Sequence, residues 1–335
     1  MRKALTRKAW AQRAWAQRAW TAVCAALTVG TAAPGMAQTY PSKQIELVVP
    51  FVAGGTTDTV ARFISQRLSD QWGQPVIVSN RPGGGSSIGT NIAAKAAPDG
   101  HTLLVTTIAF AINASLQKQP YDAIKDFTAI NELSTIPLML VVHPSLPVNN
   151  LKEFIEYSKA QAAGLDYATS GPGTSTHLAA EMFKAMTGAK LVHVPFKGNA
   201  EVINALVGGH VKVHFALTAS TLQHVRNGTL RVIAVTTEKR LPDLPEVPTI
   251  AELGYPAYEI SSWQGVFVPA GTPTEIVGRL NREIVAMLKT PEVHARITRE
   301  GAIPIGSSPE EFSARFKNEV EKWAKVAQSA GLAAP

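Results

Sequence analysis

Two loops rich in glycine and hydroxyl side chains have the residue types that bind a small anion. The first loop, residues 50–58, reads PFVAGGTTD, and the second loop, residues 169–177, reads TSGPGTSTH. Each leaves an apolar, strand-like run and enters an amphipathic, helix-like run. Glycine lets the backbone approach a ligand closely, hydroxyls and free amides donate hydrogen bonds, and a helix start carries partial positive charge. Because the loops are far apart in sequence, we expect two domains that each present one loop to the same small ligand.

A serine motif indicates a different chemistry. Residues 85–89 read GSSIG and fit the G-x-S-x-G pattern of a serine hydrolase, with Ser87 as the nucleophile. That nucleophile must lie on a sharp turn directly after a strand, whereas residues 80–85 intervene here. A glycine-rich helix start is the favoured interpretation, and an exported serine hydrolase that uses Ser87 is the alternative. The glycines fit a dinucleotide fingerprint only loosely, because no acidic residue ends the next strand, so no cofactor is expected.

Three histidines, His193, His210 and His214, raise the question of a metal site. His210 and His214 are four residues apart, which places them on one face of a strand. No carboxylate or cysteine is in register to complete a set of ligands. Solvent-facing or hydrogen-bonded histidines are therefore the favoured interpretation, and no metal is expected.

Single titratable residues beside the two loops allow more than one role. His177 could contact an anion or cap a helix, and Lys197 could pair with a carboxylate or be an ordinary surface lysine. Asp58 is the only acid near the first loop; it could be a general base, although an acid in a first turn more often stabilises the helix start. The sequence shows no paired acids and no nucleophile with a base. We therefore predict a site that holds a ligand without transforming it.

The elements that position these loops alternate between strand and helix. Short β-rich runs separated by helical patterns indicate right-handed βαβ units and mostly parallel sheets. A helix over residues 57–72 should end at Gly73. The predicted strands are residues 45–49, 76–79, 102–106 and 138–142, then, after a helix at 150–162, residues 165–168, 191–194, 211–217, 230–235 and a strand near 264–268.

The distribution of helices predicts where the chain changes domain. Three helices follow the last strand, and the final one carries Phe312, Phe316, Val320 and Trp323 on one face. Such a helix needs a sheet to cover, and the first set of strands is short of helices. We therefore expect the chain to cross near residue 143 and to return near 262. Domain 1 would comprise residues 38–143 and 262–335, and domain 2 residues 144–261.

The N-terminal segment predicts export. Residues 1–37 contain six basic residues and no acidic one, an apolar run at about 19–33, and a small-x-small sequence that ends at Ala37. This pattern is typical of a cleaved signal peptide, residues 1–37, and a periplasmic protein; an amphipathic surface helix is the alternative. Cleavage would leave 32 − 6 = 26 basic against 25 acidic residues, so no basic surface for nucleic acid is expected. Cys24, the only cysteine, lies in this leader.

A series of motifs carries a family resemblance. They lie, in order, at residues 50–58, 61–62, 73–78, 80–83, 96–104, 120–122, 125–127, 170–178, 193–198, 244–249 and 269–273. Together they resemble the Bug family, the extracytoplasmic solute receptors of tripartite tricarboxylate transporters. The resemblance implies an α/β, two-lobed periplasmic binding protein fold of type II-like arrangement, each lobe a mostly parallel sheet flanked by helices, with two crossover strands.

The resemblance also implies a function. A monomeric receptor would capture a small carboxylate and deliver it to a large and a small membrane subunit of the transporter, without a cofactor or nucleic acid. A receptor that signals without transport stays open as an alternative. The site residues that it implies are Phe51, Ala53, Gly54 and Thr56 in the first loop, and Ser170, Gly173, Thr174 and Ser175 in the second. Gly55, Asp58, His177, Lys197 and Ala216 complete the predicted set.

Three departures from the family pattern indicate a more apolar pocket. Ala216 stands where the family often has an aspartate, and Phe196 replaces a common tyrosine. Phe51, Val52 and Ala53 occupy a segment where prolines are frequent. We therefore expect an aromatic or aliphatic carboxylate as the ligand.

Overall fold

The structure is a computed structural model that describes residues 40–116, 118–299 and 301–329. The predicted leader, with Cys24, lies outside these residues. No helix in the described ranges is long and apolar enough to cross a membrane.

Strands and helices alternate along the first part of the chain. The order is β1 (Ile45–Val49), α1 (Thr56–Trp72), β2 (Val76–Asn80), a short 3-10 turn (Gly84–Ser86), α2 (Ser87–Ala94), β3 (Thr102–Thr107), α3 (Ala109–Leu116) and β4 (Phe127–Val142). β1 pairs in parallel with both β2 and β3. Helix α1 ends as expected, since Gly73 adopts the left-handed conformation (φ 64°) and its amide donates to the Ser69 carbonyl.

A second α/β unit follows, and the chain then returns to the first. The second unit comprises α4 (Leu151–Ala160), β5 (Leu165–Thr169), α5 (Ser175–Thr187), β6 (Leu191–Pro195), α6 (Asn199–Val207), β7 (Val213–Leu217), α7 (Thr218–Arg226) and β8 (Arg231–Val235). The return comprises β9 (Ser261–Pro269), α8 (Thr274–Leu288), α9 (Pro291–Arg299), β10 (Ile303–Pro304) and α10 (Pro309–Ser329). β5 pairs in parallel with β6 and β7. The predicted α/β class is confirmed.

Strand β4 belongs to both halves of the molecule. Over residues 127–137 it pairs with β9, which also pairs with β3, and over residues 138–142 it pairs with β7 and β8. The strand order is β2-β1-β3-β9-β4-β7-β5-β6, with β8 and β10 also on β4. The change of partners after Pro137 defines a hinge region between a first lobe (β1 to α3 with the return elements) and a second lobe (α4–β8). It lies a few residues before the predicted crossing near 143, and the domain limits given above stay a prediction.

One hydrophobic core extends across the hinge region. It joins Val48 and Leu104 of the first lobe to Tyr167 and Phe183 of the second. Helix α10 covers it as its pattern predicts, because Phe312, Phe316 and Trp323 are at most 4% exposed. Each such buried aromatic side chain contributes about 1.5–3 kcal/mol to folding.

Two elements in this core were not predicted. Helix α3 reads AFAINASL and is apolar on nearly every side, so it lacks the alternation of an amphipathic helix. The first half of β4 is buried on both faces and lacks the period-2 pattern of a half-exposed strand. Both elements lie at the centre of the molecule, where burial removes the periodicity that sequence analysis depends on.

Candidate functional site

The first loop follows the carboxyl end of β1 and leads into α1. Gly54 has φ 85°, a conformation that favours glycine, and Val52, Ala53 and Gly54 are exposed. At the start of α1, the amides of Gly55, Thr56 and Thr57 have no acceptor among the described residues. These three amides are therefore available to donate to a ligand.

Asp58 holds the first loop in place. Its buried carboxylate accepts hydrogen bonds from the Gly54 amide (2.8 Å), Arg62 Nε (2.9 Å) and Asn80 Nδ2 (2.9 Å). Burial pushes the pKa of Asp58 up, but the hydrogen bonds from Arg62, Gly54 and Asn80 outweigh it and hold that pKa below its usual value. These contacts favour the helix-start interpretation over a general base. They also show that the Gly54 amide is already engaged.

A third loop, residues 83–86, leads into α2, which packs against the first loop. Gly83, Gly84, Gly85 and Ser86 all have positive φ, and Ser86 is the one non-glycine residue in the described chain that does. A Cβ on Gly89 would lie 2.9 Å from Pro50 Cα, so only glycine lets α2 approach the first loop this closely. Helix α2, which follows the third loop, therefore packs against the start of the first loop.

Ser87 does not occupy a nucleophile elbow. It is the first residue of α2, and residues 81–86 separate it from the end of β2. A hydrolase elbow needs the serine on the turn directly after the strand. The glycine-rich helix start is the arrangement found.

The second loop is held by hydroxyl groups. Thr176 Oγ1 lies within hydrogen-bond distance of the Ser170 amide (3.2 Å), the Ser170 hydroxyl (3.2 Å) and the Thr174 hydroxyl (3.0 Å). The Thr174 hydroxyl donates to the Gly171 carbonyl (2.7 Å). Thr174 is also the N-cap of α5. The side chains of Thr174 and Thr176 thus shape this loop from inside.

The donors left over in the second loop point to a ligand position. Within the described residues, the amides of Thr174, Ser175 and Thr176 have no acceptor, and the Ser175 hydroxyl has no hydrogen-bond partner. Ser175 is also partly exposed. These four donors converge at the positive end of α5, which suits a carboxylate.

His177 anchors the second loop through its ring. Its Nδ1 accepts the Gly173 amide at 3.1 Å, and its ring stacks on His193 with centroids 4.1 Å apart. The His177 side chain is buried, and burial together with the charge of His193 lowers its pKa to about 4. His177 is therefore neutral near pH 7, and Nδ1 lacks a proton. Of the two predicted roles, these contacts favour the structural one.

A polar cluster supports the histidine pair from behind. His193 Nε2 lies 2.6 Å from Thr169 Oγ1, and that hydroxyl also accepts the Gly171 amide. The buried Glu181 accepts from the Tyr167 hydroxyl (2.6 Å) and pairs with Lys184 (2.8 Å). The second loop is thus connected to a network of buried polar groups.

The lobes meet at Asn113 of α3. Its Nδ2 donates to the Gly85 carbonyl of the third loop and lies 3.3 Å from Ser86 Oγ. A Cβ on Gly173 would be 3.3 Å from Leu116 Cδ1 and 3.7 Å from Asn113 Oδ1. The second loop of one lobe therefore contacts a helix of the other. Neither residue was among the predicted site residues, and the only signal in the sequence was a pair of polar residues, Asn113 and Ser115, within an apolar run.

Other predicted site residues have different surroundings. Lys197 is exposed, and its amide donates to Glu201 Oε2 (3.2 Å). It follows Phe196, whose carbonyl is 3.6 Å from the position of a Cβ on Gly171, so it lies beside the second loop. Ala216 is fully buried in a core cluster with Ala168 and offers no surface to a ligand here. Phe51 is half-buried, and its carbonyl accepts from Asn80.

The histidines weighed as metal ligands have separate partners. His214 is fully buried, and its Nδ1 lies 2.9 Å from the Ala168 carbonyl. Its pKa is lowered to about 4, mainly by burial. In the described ranges, no group of three or more His, Cys, Asp or Glu residues could hold a metal ion.

Comparisons with known proteins agree with this architecture. Residues 60–332 match the model of the "Tripartite tricarboxylate transporter family receptor". The chain is 37% identical to protein BugT of Bordetella pertussis over 307 residues, which is 91% of this chain and 94% of that protein. Several solved structures are also similar to this chain.

Three solved structures are similar to the chain over nearly their whole lengths. They are R. palustris Rpa4515 with adipate (38% identity, TM-score 0.75, 88% of this chain and 99% of that one), the periplasmic binding protein BugD (35%, 0.73, 88% and 99%), and MatC (Rpa3494) from Rhodopseudomonas palustris with bound malate (32%, 0.72, 86% and 99%). The predicted two-lobed periplasmic binding protein fold is confirmed by these structures.

Proposed function

Because the chain belongs to the tripartite tricarboxylate transporter receptor family, whose members are solute receptors and not enzymes, we propose that it binds a small carboxylate between its two lobes. The resemblance to the Bug family is thereby confirmed. We further propose that the chain works in the periplasm after export and delivers its ligand to the two membrane subunits of a tripartite transporter.

The observation that carries the proposal is the pair of unengaged donor groups at two helix starts. Gly55, Thr56 and Thr57 supply three amides in the first lobe, and Thr174, Ser175 and Thr176 supply three amides and a hydroxyl in the second. Backbone amides at a helix start favour negative charge. The contact of Gly173 with Asn113 and Leu116 supports the convergence of the two donor sets on one space between the lobes.

The ligand class follows from the character of these donors. They are neutral, and Arg62, the basic residue nearest to the first loop in sequence, is paired with Asp58. The Leu116 side chain borders the second loop with apolar surface. Two similar proteins carry adipate and malate in their structures. We propose an aliphatic or aromatic carboxylate, with its charge held by amides and its carbon chain packed on apolar side chains.

Binding would proceed by closure of the lobes. The open form binds the carboxylate to one lobe, and rotation about β4 and β9 then adds the donors of the other lobe while water leaves. Each charge-assisted hydrogen bond contributes about 1.5–3 kcal/mol. Two or three such bonds are enough for micromolar affinity after the costs of ordering.

The sharpest test removes one hydroxyl that has no internal partner. We expect Ser175→Ala to weaken adipate binding by about tenfold with an unchanged melting temperature, because the loop does not depend on this group. Isothermal titration calorimetry with adipate, malate and benzoate measures the affinity. Ser220→Ala is the matched control, since Ser220 lies in the first turn of α7 and its hydroxyl donates to the Leu217 carbonyl.

Three outcomes separate the parts of the proposal. The double variant Thr174→Ala with Ser175→Ala should weaken binding at least as much as Ser175→Ala alone. Unchanged affinity in both would refute the placement of the ligand, and no binding of any carboxylate by the wild-type protein would refute the ligand class. Delivery is tested by uptake of labelled ligand in cells with and without the membrane subunits. Uptake that does not require them would contradict the transport role.

A further inference from the structure

A cavity beside the hinge region has walls from both lobes. Its volume is about 540 Å³, and Pro137, where β4 changes partners, lies in its lining. One wall consists of α7 and residues 241–244, and the other consists of α9, residues 301–302 and β10. None of the lining residues belongs to the first, second or third loop. The cavity is thus separate from the proposed carboxylate site.

The two walls touch at one end of the cavity. A Cβ on Gly301 would lie 2.4 Å from Ala219 Cα, so the backbones of the two lobes are in direct contact there. Thr218, at the start of α7, donates its hydroxyl to the Pro137 carbonyl (3.1 Å) and fixes α7 to the hinge region. Because its walls are anchored to different lobes, the cavity must change shape when the lobes rotate.

The lining combines apolar surface with an excess of positive charge. Leu222, Leu241, Leu244 and Ala302 provide apolar side chains. The charged residues are Arg226, Arg299 and Asp243, and His294 adds an imidazole. Arg226 pairs with Asp243 at 3.1 Å, which leaves Arg299 without an ion-pair partner among the described residues. A cavity of this size with an apolar lining and a few polar groups is typical of small-molecule sites.

We propose that this hinge cavity binds a small apolar anion and that its occupancy changes the affinity of the carboxylate site. The apolar part of the anion would pack on the leucines, and its charge would pair with Arg299. The coupling, but not the binding itself, rests on the function proposed above.

The coupling follows from the position of the walls. A ligand shifts a conformational equilibrium only by its different affinities for the two states, and a cavity shared by two lobes offers different contacts in the open and closed forms. The carboxylate also distinguishes these forms, because it needs donors from both lobes. The two ligands must then change each other's affinity by the same factor.

The test uses 1-anilinonaphthalene-8-sulfonate, a fluorescent apolar anion, on the full mature protein. Two variants address the cavity: Thr298→Trp fills it from an exposed face of α9, and Arg299→Glu reverses the charge that has no ion-pair partner among the described residues. Arg296→Glu on the same helix is the matched control, since Arg296 does not line the cavity. Fluorescence titrations are made with and without saturating adipate, so that probe bound at the carboxylate site is displaced and identified.

We expect adipate-resistant binding of one probe molecule, weakened about fivefold or more by Thr298→Trp and by Arg299→Glu and unchanged by Arg296→Glu. Adipate affinity should change about fivefold when the probe is saturating. The proposed cavity site is refuted if adipate-resistant probe binding is unchanged in both cavity variants. It is also refuted if no adipate-resistant probe binding occurs. Probe binding at the cavity with unchanged adipate affinity overturns the coupling. A protein that binds no carboxylate refutes the proposed function, while the probe titrations still decide whether the cavity is a site.

Discussion

The first and second loops present similar donors but are held in place by opposite means. In the first, a buried carboxylate, Asp58, gathers the Gly54 amide, Arg62 and Asn80. In the second, hydroxyl groups and the neutral ring of His177 hold the loop in place through hydrogen bonds. One loop is therefore fixed by charge, and the other by uncharged hydrogen bonds. The difference predicts that the two lobes respond differently to substitution and to pH.

The first loop should be the more costly one to disrupt. Asp58→Ala should lower the free energy of unfolding by about 3 kcal/mol, because it removes the buried carboxylate that accepts from the Gly54 amide, Arg62 Nε and Asn80 Nδ2. Urea unfolding measures the change. Asp70→Ala is the control on the same helix, since Asp70 is exposed and, within the described part of the chain, accepts only from Gln66. An equal, small effect of both substitutions would contradict the role given to Asp58.

The second loop should lose ligand affinity when its ring anchor is removed. His177→Ala should weaken carboxylate binding by about tenfold, because the Gly173 amide loses its acceptor and the loop loses its shape. His177→Asn should restore part of the affinity, since the amide oxygen can accept the same hydrogen bond. Calorimetric titration measures both. If Asn and Ala weaken binding equally, the ring does not act through Gly173.

The contact between the lobes at Asn113 should have a smaller effect on the protein than Asp58 or His177, the residues that hold the first and second loops. Asn113→Ala removes the bond to the Gly85 carbonyl and the contact at Gly173, and it should weaken binding about fivefold. Asn227→Ala, after α7, is an exposed control. Small-angle scattering with and without ligand would show whether the variant closes less completely. A wild-type affinity would mean that this contact does not support closure.

The smallest expected effect is a pH dependence confined to the second lobe. The pKa of His177 is about 4 in the folded protein and about 6.5 when unfolded, so the unfolded chain takes up the proton first. The stability that this residue contributes is therefore fully present above pH 6.5 and lost as the pH falls toward 4. The stability advantage of wild type over His177→Asn should shrink between pH 7 and pH 4.5.

The comparison with His177→Asn removes the titrations of groups that do not contact His177 from that experiment. Burial raises the pKa of Glu132 to about 7, against the opposing charge of Arg315. Its contribution has the opposite sign, because it is lost as the pH rises from about 4.5 through 7. Glu132 is present in both proteins and cancels in the difference. A constant difference between the two proteins over this pH range would contradict the depressed pKa.

Much of the fold could be predicted because most elements carry a clear pattern. The limits of β1 and the stop of α1 at Gly73 were predicted, and so was the aromatic face of α10. Helix α3 and the first half of β4 were not, because elements buried on every side lose their periodicity. The unpredicted elements carry Asn113 and the hinge region, so the connection between the lobes was the part least visible in the sequence.

The candidate site was predictable in its loops but not in the roles of their side chains. Glycine and hydroxyl composition identified the first and second loops. Sequence could not show that the Gly54 and Gly173 amides already have acceptors, or that Ala216 is buried, because these depend on contacts across many residues. Spacing predicts which residues share a loop, whereas only packing decides which donors are unengaged.

The position of strand β4 in both lobes should make the unfolding of the molecule cooperative. Because its two ends are hydrogen-bonded into different lobes and one core runs across both, neither lobe has a complete sheet without the other. Calorimetry should record one endotherm, and a fragment that ends after β4 should not fold alone. A reporter inserted into this molecule would have to enter at surface turns, since any cut in the shared strand would unravel both halves at once.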